Sequence, residues 1–85
     1  MLLLAAAETL ATRHYLRFWR DTVSLYRHMH TLAPDSPIVE VDLGAALYGT
    51  GRTHEAMMHY NRAIELSPHY APAYYNRGSA YADRG

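Results

Sequence analysis

Cysteine is absent from the 85 residues, so neither a disulfide nor a thiolate metal site can hold the chain together. A chain of this size sits near the limit at which a hydrophobic core suffices unaided, so stability must come from helix packing or from a partner. Net charge is missing too: eight Lys plus Arg balance eight Asp plus Glu. Nucleic-acid binding rests on phosphate contacts and shows as a basic excess, so nucleic acid is not an expected partner. No apolar run is long enough to span a bilayer, which takes about 20 residues; the run Met1–Ala7 ends at Glu8. No basic residue precedes that run, and Glu8 and Arg13 follow it closely, which is not the layout of a secretion signal. Its expected role is an apolar helix face packed on a neighbour. Phe and Trp occur once each, whereas tyrosine occurs eight times. Tyrosine suits half-buried positions, with the ring packed and the hydroxyl in water.

What is present is a period. Laid on itself at an offset of 34, the chain aligns Pro34 with Pro68, Leu32 with Leu66 and Tyr26 with Tyr60. The same offset pairs Gly44 with Gly78, Gly51 with Gly85, Ala46 with Ala80 and Leu47 with Tyr81. Gap-free coincidences at Gly, Pro and aromatic positions mark an internal repeat, and repeats mean stacked supersecondary units.

The central unit, 37–70, reads Glu40-x2-Leu43-Gly44-x2-Leu47, then Ala56-x3-Tyr60, Ala63 and Pro68. Length and pattern resemble the tetratricopeptide (TPR) family at every small-residue position. Glu40 stands where the family prefers Trp, and Leu47 where it prefers Tyr. The third unit starts at Ala71 and reads Tyr74-x2-Arg77-Gly78-x2-Tyr81. Arg77 replaces the usual Leu, a sign of a less buried helix end. The first unit, 3–36, keeps Tyr26 and Pro34 but has Leu10 in place of the family's Gly, and Thr22 and Met29 in place of its small alanines. The resemblance implies an all-α fold of antiparallel helical hairpins, an α-solenoid. It makes 1–85 one domain with a degenerate repeat, a full repeat and the first helix of a truncated one.

The residues give that pattern a physical reason. Helices approach closely only where side chains are small, and Gly44, Ala56 and Ala63 supply the contact. Gly51 can end a helix in the left-handed conformation. Thr53 is the expected N-cap of the next helix, with Glu55 in its first turn. Ser36-Pro37 places a cap before a proline at the first helical position, and Leu66-Ser67-Pro68 closes the unit. About five helices are expected, at 3–18, 21–32, 37–49, 53–66 and 71–83. Neither Gly nor Pro occurs between Met1 and Ala33, so the break near Arg20 rests on Asp21 as an N-cap with Ser24 three residues on.

No catalytic arrangement stands out. Ser24, Ser67 and Ser79 lack an adjacent base, no phosphate-cradling glycine loop occurs, and Gly44, Gly49, Gly51 and Gly78 are accounted for by packing and turns. The chain is read as not an enzyme, and no cofactor is implied. Among the six histidines, His28 and His30 point to different helix faces, and His54 and His59, five apart, converge poorly. Zinc wants ligands gathered on one face, so the histidines are read as exposed or half-packed. No stoichiometric zinc site tighter than about micromolar is expected.

The functional surface implied by the resemblance is a concave groove lined by the first helix of each hairpin, which accepts an extended peptide or a partner helix. Here it would comprise Val41, Asp42, Ala45 and Tyr48 with Tyr75, Asn76, Ser79 and Asp83. Asn76 stands where many peptide-binding members carry a ligand-fixing asparagine, and Asp42 stands at its counterpart. The lysines and arginine that clamp a terminal carboxylate in the chaperone-binding subgroup are absent from the matching places. A groove with two tyrosines and two acids suits an apolar, somewhat basic segment. The expected role is therefore a protein-interaction scaffold, cytoplasmic if it stands alone.

The alternative is a structural appendage. Arg17-Phe-Trp-Arg-Asp21, preceded by an apolar stretch, resembles the junction to C-terminal TPR repeats in bacterial membrane glycosyltransferases. Trp19 between Arg17 and Arg20 would suit a membrane interface there, against a core role for Phe18 and Trp19 in the first hairpin. Membrane contact is expected only within such a longer parent. Self-association through the terminal helices is expected as well, through an edge carrying Tyr74, Ala80 and Tyr81 and through the apolar first helix.

Overall fold

A computed structural model of the chain describes the backbone of residues 2–84 and the side-chain surroundings of residues 12–83. Four helices follow one another: α1 (Leu2–Leu32), α2 (Pro37–Gly49), α3 (Thr53–Leu66) and α4 (Ala71–Arg84). No strand occurs among the described residues. The fold is the expected stack of antiparallel hairpins, with one helix fewer because the segments expected at 3–18 and 21–32 are continuous.

The expected break at Arg20 is corrected by local chemistry. Asp21 is exposed, and the hydroxyl of Thr22 donates to the Phe18 carbonyl at 2.7 Å, a bond made inside a helix rather than at its start. With no Gly or Pro to interrupt it, the ladder runs on until Pro34. The apolar run at 1–7 lies outside the described side chains.

The cap at Ser36 forms as expected: its backbone is extended, its Oγ accepts from the Val39 N–H at 3.3 Å, and Pro37 occupies the first helical position. α2 ends as the sequence foretells. Gly51 has φ +85°, its N–H donates to the Tyr48 carbonyl, and the Arg52 N–H donates to the Leu47 carbonyl, each at 3.0 Å. Those two bonds satisfy orphan carbonyls of the last turn. The Thr53 expectation is corrected. Thr53 is the first helical residue of α3, and the cap position falls to Arg52, which makes no side-chain cap bond. Glu55 in the first turn supplies the compensating charge.

α2 is the hub, in contact with all three other helices. Val39, Glu40, Val41, Leu43, Gly44, Ala46 and Leu47 are all buried, so it is covered nearly all round, as an apolar helix must be. α3 lays Ala56, Met57, Tyr60 and Ala63 against it. At the crossing, a Cβ on Gly44 would sit 2.6 Å from a Tyr60 ring carbon. At the far end of α2, a Cβ on Gly49 would sit 2.5 Å from the Trp19 ring. Trp19 is thus a packing residue of α1, joined to the core with Val23 and Tyr26, while Phe18 beside it is exposed. α4 turns Ala73 and Ala80 inward, seven residues apart on one face. Ala80 therefore does not belong to the exposed edge expected for it; Tyr74 and Tyr81 do, on another face of the helix.

Candidate functional site

The eight groove residues fall on α2 and α4, which touch one another. Val41 is buried among the core residues and offers little surface. Asp42, Ala45 and Tyr48 are half-buried. The Tyr48 hydroxyl donates to the Asp83 carboxylate, fastening α2 to the last turns of α4. That bond, followed by burial, holds the Tyr48 hydroxyl above its ordinary pKa. Tyr75 stands 77% exposed, Ser79 is exposed, and the Asn76 amide donates to the Pro72 carbonyl of its own helix at 2.7 Å. Asp42 has no hydrogen bond or ion pair among the described residues, and burial pushes its carboxyl above the usual range. Its carboxylate is therefore free to accept from a ligand; the buried side-chain polar atom that lacks a partner among the described residues is Trp19 Nε1.

A second cluster was not visible in the spacing of the histidines. Glu40, 1% exposed, is the one buried charged side chain among the described residues. Its two oxygens are held by His30 Nε2 of α1 at 2.7 Å and His59 Nδ1 of α3 at 2.6 Å. The two imidazoles meet edge to face, with ring centres 5.8 Å apart. The pairs weighed from the sequence, His28 with His30 and His54 with His59, lie each on one helix, whereas the pair that converges lies on two helices that bracket a third. The available signal was Glu40 itself. A carboxylate where the family buries tryptophan must find donors, and only facing helices can supply them.

α1 and α3 meet again through Arg27, which donates to Glu55 at 2.8 Å and holds that carboxyl below its ordinary pKa. Arg77 is half-buried, as its place in the pattern implied, and donates to Asn61 at 2.9 Å.

This architecture defines a class: a helical-repeat scaffold whose hairpins stack one on the next. Residues 44–85 match the family model described as TPR repeat, and this segment belongs to that family. The probable UDP-N-acetylglucosamine–peptide N-acetylglucosaminyltransferase SPINDLY of Oryza sativa subsp. japonica is 48% identical over 46 residues. Its counterpart in Hordeum vulgare is 46% identical over the same length. Each match covers 54% of this chain and 5% of the relative. The peroxisomal targeting signal receptor of Eremothecium gossypii is 36% identical over 55 residues, covering 65% of this chain and 10% of the receptor. The chain thus corresponds to a small part of each relative's length. No helix among the described residues is long and apolar enough to cross a membrane.

Proposed function

We propose that the face formed by α2 and α4 binds a segment of a partner protein, apolar with a basic residue, as an extended peptide or a helix. The observation that carries this reading is Asp42. It is half-buried and unpaired among the described residues, on a helix that also carries Tyr48 and that touches the helix of the exposed Tyr75. A guanidinium, an ammonium or a backbone N–H from a ligand would satisfy that carboxylate, while the rings of Tyr48 and Tyr75 cover apolar side chains. The Tyr48–Asp83 bond keeps the two walls at a fixed separation, so little ordering is needed on binding.

Selection of a random-peptide library on the immobilised chain tests it. Enriched peptides should combine apolar residues with Arg or Lys. Asp42→Asn should weaken them about 10- to 100-fold, the scale of a hydrogen bond to a charged group, and Tyr75→Ala should weaken them as well. Enrichment without a basic residue, or binding indifferent to both changes, refutes the reading.

A second reading has one observation behind it: two of the relatives are probable glycosyltransferases many times longer than this chain. On that reading the repeats are an appendage of a larger glycosyltransferase-like protein, and catalysis lies in its other part. Trp19 packed against Gly49 argues against its use as a membrane anchor in such a parent.

A further inference from the structure

The corner where α1, α2 and α3 meet holds more than a buried charge with its donors. One ligand atom each from His30, Glu40 and His59 lies within 4.8 Å of the other two. Glu40 forms the inner wall, with its side chain 2% exposed, and the imidazoles of His30 and His59 stand at the mouth, 31% and 19% exposed. The mouth opens on a cleft of about 480 Å³ whose lining adds Asp35, Glu65 and Arg62. With the histidines neutral, three carboxylates face one guanidinium, so the cleft attracts cations. None of the groove residues on α2 and α4 lines it.

We propose that His30, Glu40 and His59 form a binding site for a divalent transition-metal ion, zinc foremost. Two imidazole nitrogens and a carboxylate oxygen suit zinc, whereas calcium and magnesium prefer sets made of oxygen alone. Zinc held at about 2.0–2.2 Å by tetrahedral ligands needs donors roughly 3.3 Å apart. The two contacts to Glu40 must therefore open by about 0.6–0.7 Å from 2.7 and 2.6 Å, and the widest separation, up to 4.8 Å, must close toward that spacing; rotation of the partly exposed imidazoles supplies both movements. Each imidazole coordinates through the nitrogen that now meets Glu40 and carries its proton on the other. Three protein ligands leave a fourth position, and the cleft can fill it with water or with a donor from a bound molecule. Because the three ligands come from three successive helices, the ion would join α1 to α3, which otherwise meet only through long side chains.

This inference stands apart from the groove and reverses the expectation drawn from histidine spacing. The test is zinc titration of the chelator-treated chain by calorimetry, with melting curves and the visible spectrum of the cobalt(II) form. We expect one equivalent bound, with a Kd below about 10 μM, the affinity scale of −7 kcal/mol. The melting temperature should rise by roughly 10–20 °C at a hundredfold excess over Kd, and cobalt should give visible bands of four- or five-coordinate geometry.

His30→Gln and His59→Gln keep an amide donor for Glu40, so the fold should persist while affinity falls on the order of 100-fold; His28→Gln should change nothing. A merely structural cluster would leave the melting temperature independent of zinc. Absence of one-equivalent binding, or affinity in both glutamine variants unchanged from that of the unaltered chain, overturns the proposal. Should the variants not fold, imidazole proton resonances of the unaltered chain decide it: zinc must shift two of the six histidines, and shifts spread over others refute it.

Discussion

Gly44 and Gly78 occupy the same place in successive repeats, yet alanine at the two positions should move stability in opposite directions. A Cβ on Gly44 would lie 2.6 and 2.8 Å from two carbons of the Tyr60 ring and 3.2 Å from the Ala56 carbonyl oxygen. Carbon atoms pack at about 3.5–4.0 Å, so the ring must retreat by about 1 Å. Tyr60 is 1% exposed and hemmed in by core neighbours, so it has nowhere to go without prising α3 from α2. Overpacking of this kind costs about 1–3 kcal/mol. Replacing glycine inside a helix returns up to about 1 kcal/mol. Because Tyr60 cannot yield, the overpacking cost falls at about 2–3 kcal/mol, and the net for Gly44→Ala is a loss of about 1–2 kcal/mol, or a fall in melting temperature of roughly 4–16 °C for a domain of this size. At Gly78 nothing lies within 4 Å of the added atom. Only the helix gain remains, and Gly78→Ala should raise the melting temperature by roughly 2–8 °C. Melts followed by circular dichroism, paired with urea titrations that check for an unchanged m-value, read both. Effects of the same sign, or a neutral Gly44→Ala, would mean that the α2–α3 contact is not built on this glycine.

Two further predictions rest on the same framework. Burial, followed by the influence of Tyr48, raises the Tyr60 hydroxyl to about 12 from an ordinary 10.0. The unfolded chain therefore loses its proton first; the stability tied to Tyr60 is intact below pH 10 and drains away as pH climbs toward 12. The loss should approach about 2–3 kcal/mol at roughly 1.4 kcal/mol per unit. It should vanish in Tyr60→Phe when denaturation is followed through the phenolate absorption band; equal alkaline sensitivity in that variant would remove Tyr60 as the cause. Exposed Tyr74 and Tyr81 on α4, with Phe18 and Leu25 on α1, leave apolar surface at both ends of the stack, so sedimentation at about 10–100 μM should show self-association, and a monomer at the upper limit counts against it.

The elements that were legible in the sequence share one property: a local cause. Ser36-Pro37 caps and starts α2, Gly51 takes the positive φ that ends it, and Pro34 and Pro68 close their helices, so the bounds of α2 and α3 agree with expectation to the residue. What misled was weak local chemistry. Asp21 and Thr53 are good capping residues in isolation, but Thr22 bonds back into an unbroken helix, and Thr53 is already helical. Ala80 was placed on the wrong face because a repeat pattern records spacing and not which face is covered. The His30–Glu40–His59 cluster was illegible for a different reason. Its members are 10 and 19 residues apart on three helices, and only packing brings them together. The groove residues were legible as positions on α2 and α4, but the burial of Val41 and the isolation of Asp42 are properties of the packed structure.

Repetition carries a hazard that the Glu40 cluster opposes at one junction. Near-identical units can stack in the wrong order or exchange between chains, because each interface resembles the next. At the 34-residue offset, His30 corresponds to Ile64 and Glu40 to Tyr74. The junction of α1 with α2 is therefore keyed by histidine and carboxylate, whereas the corresponding positions on α3 and α4 hold isoleucine and a part-exposed tyrosine. If α4 took the place of α2 against α1, His30 would meet a tyrosine, and the carboxylate of Glu40 would be left facing isoleucine, a mismatch of several kcal/mol. The substitution of an acid for the family's tryptophan thus marks one junction: it favours one neighbour order over its permutations, beyond what the differing lengths and small-residue positions of the units already distinguish.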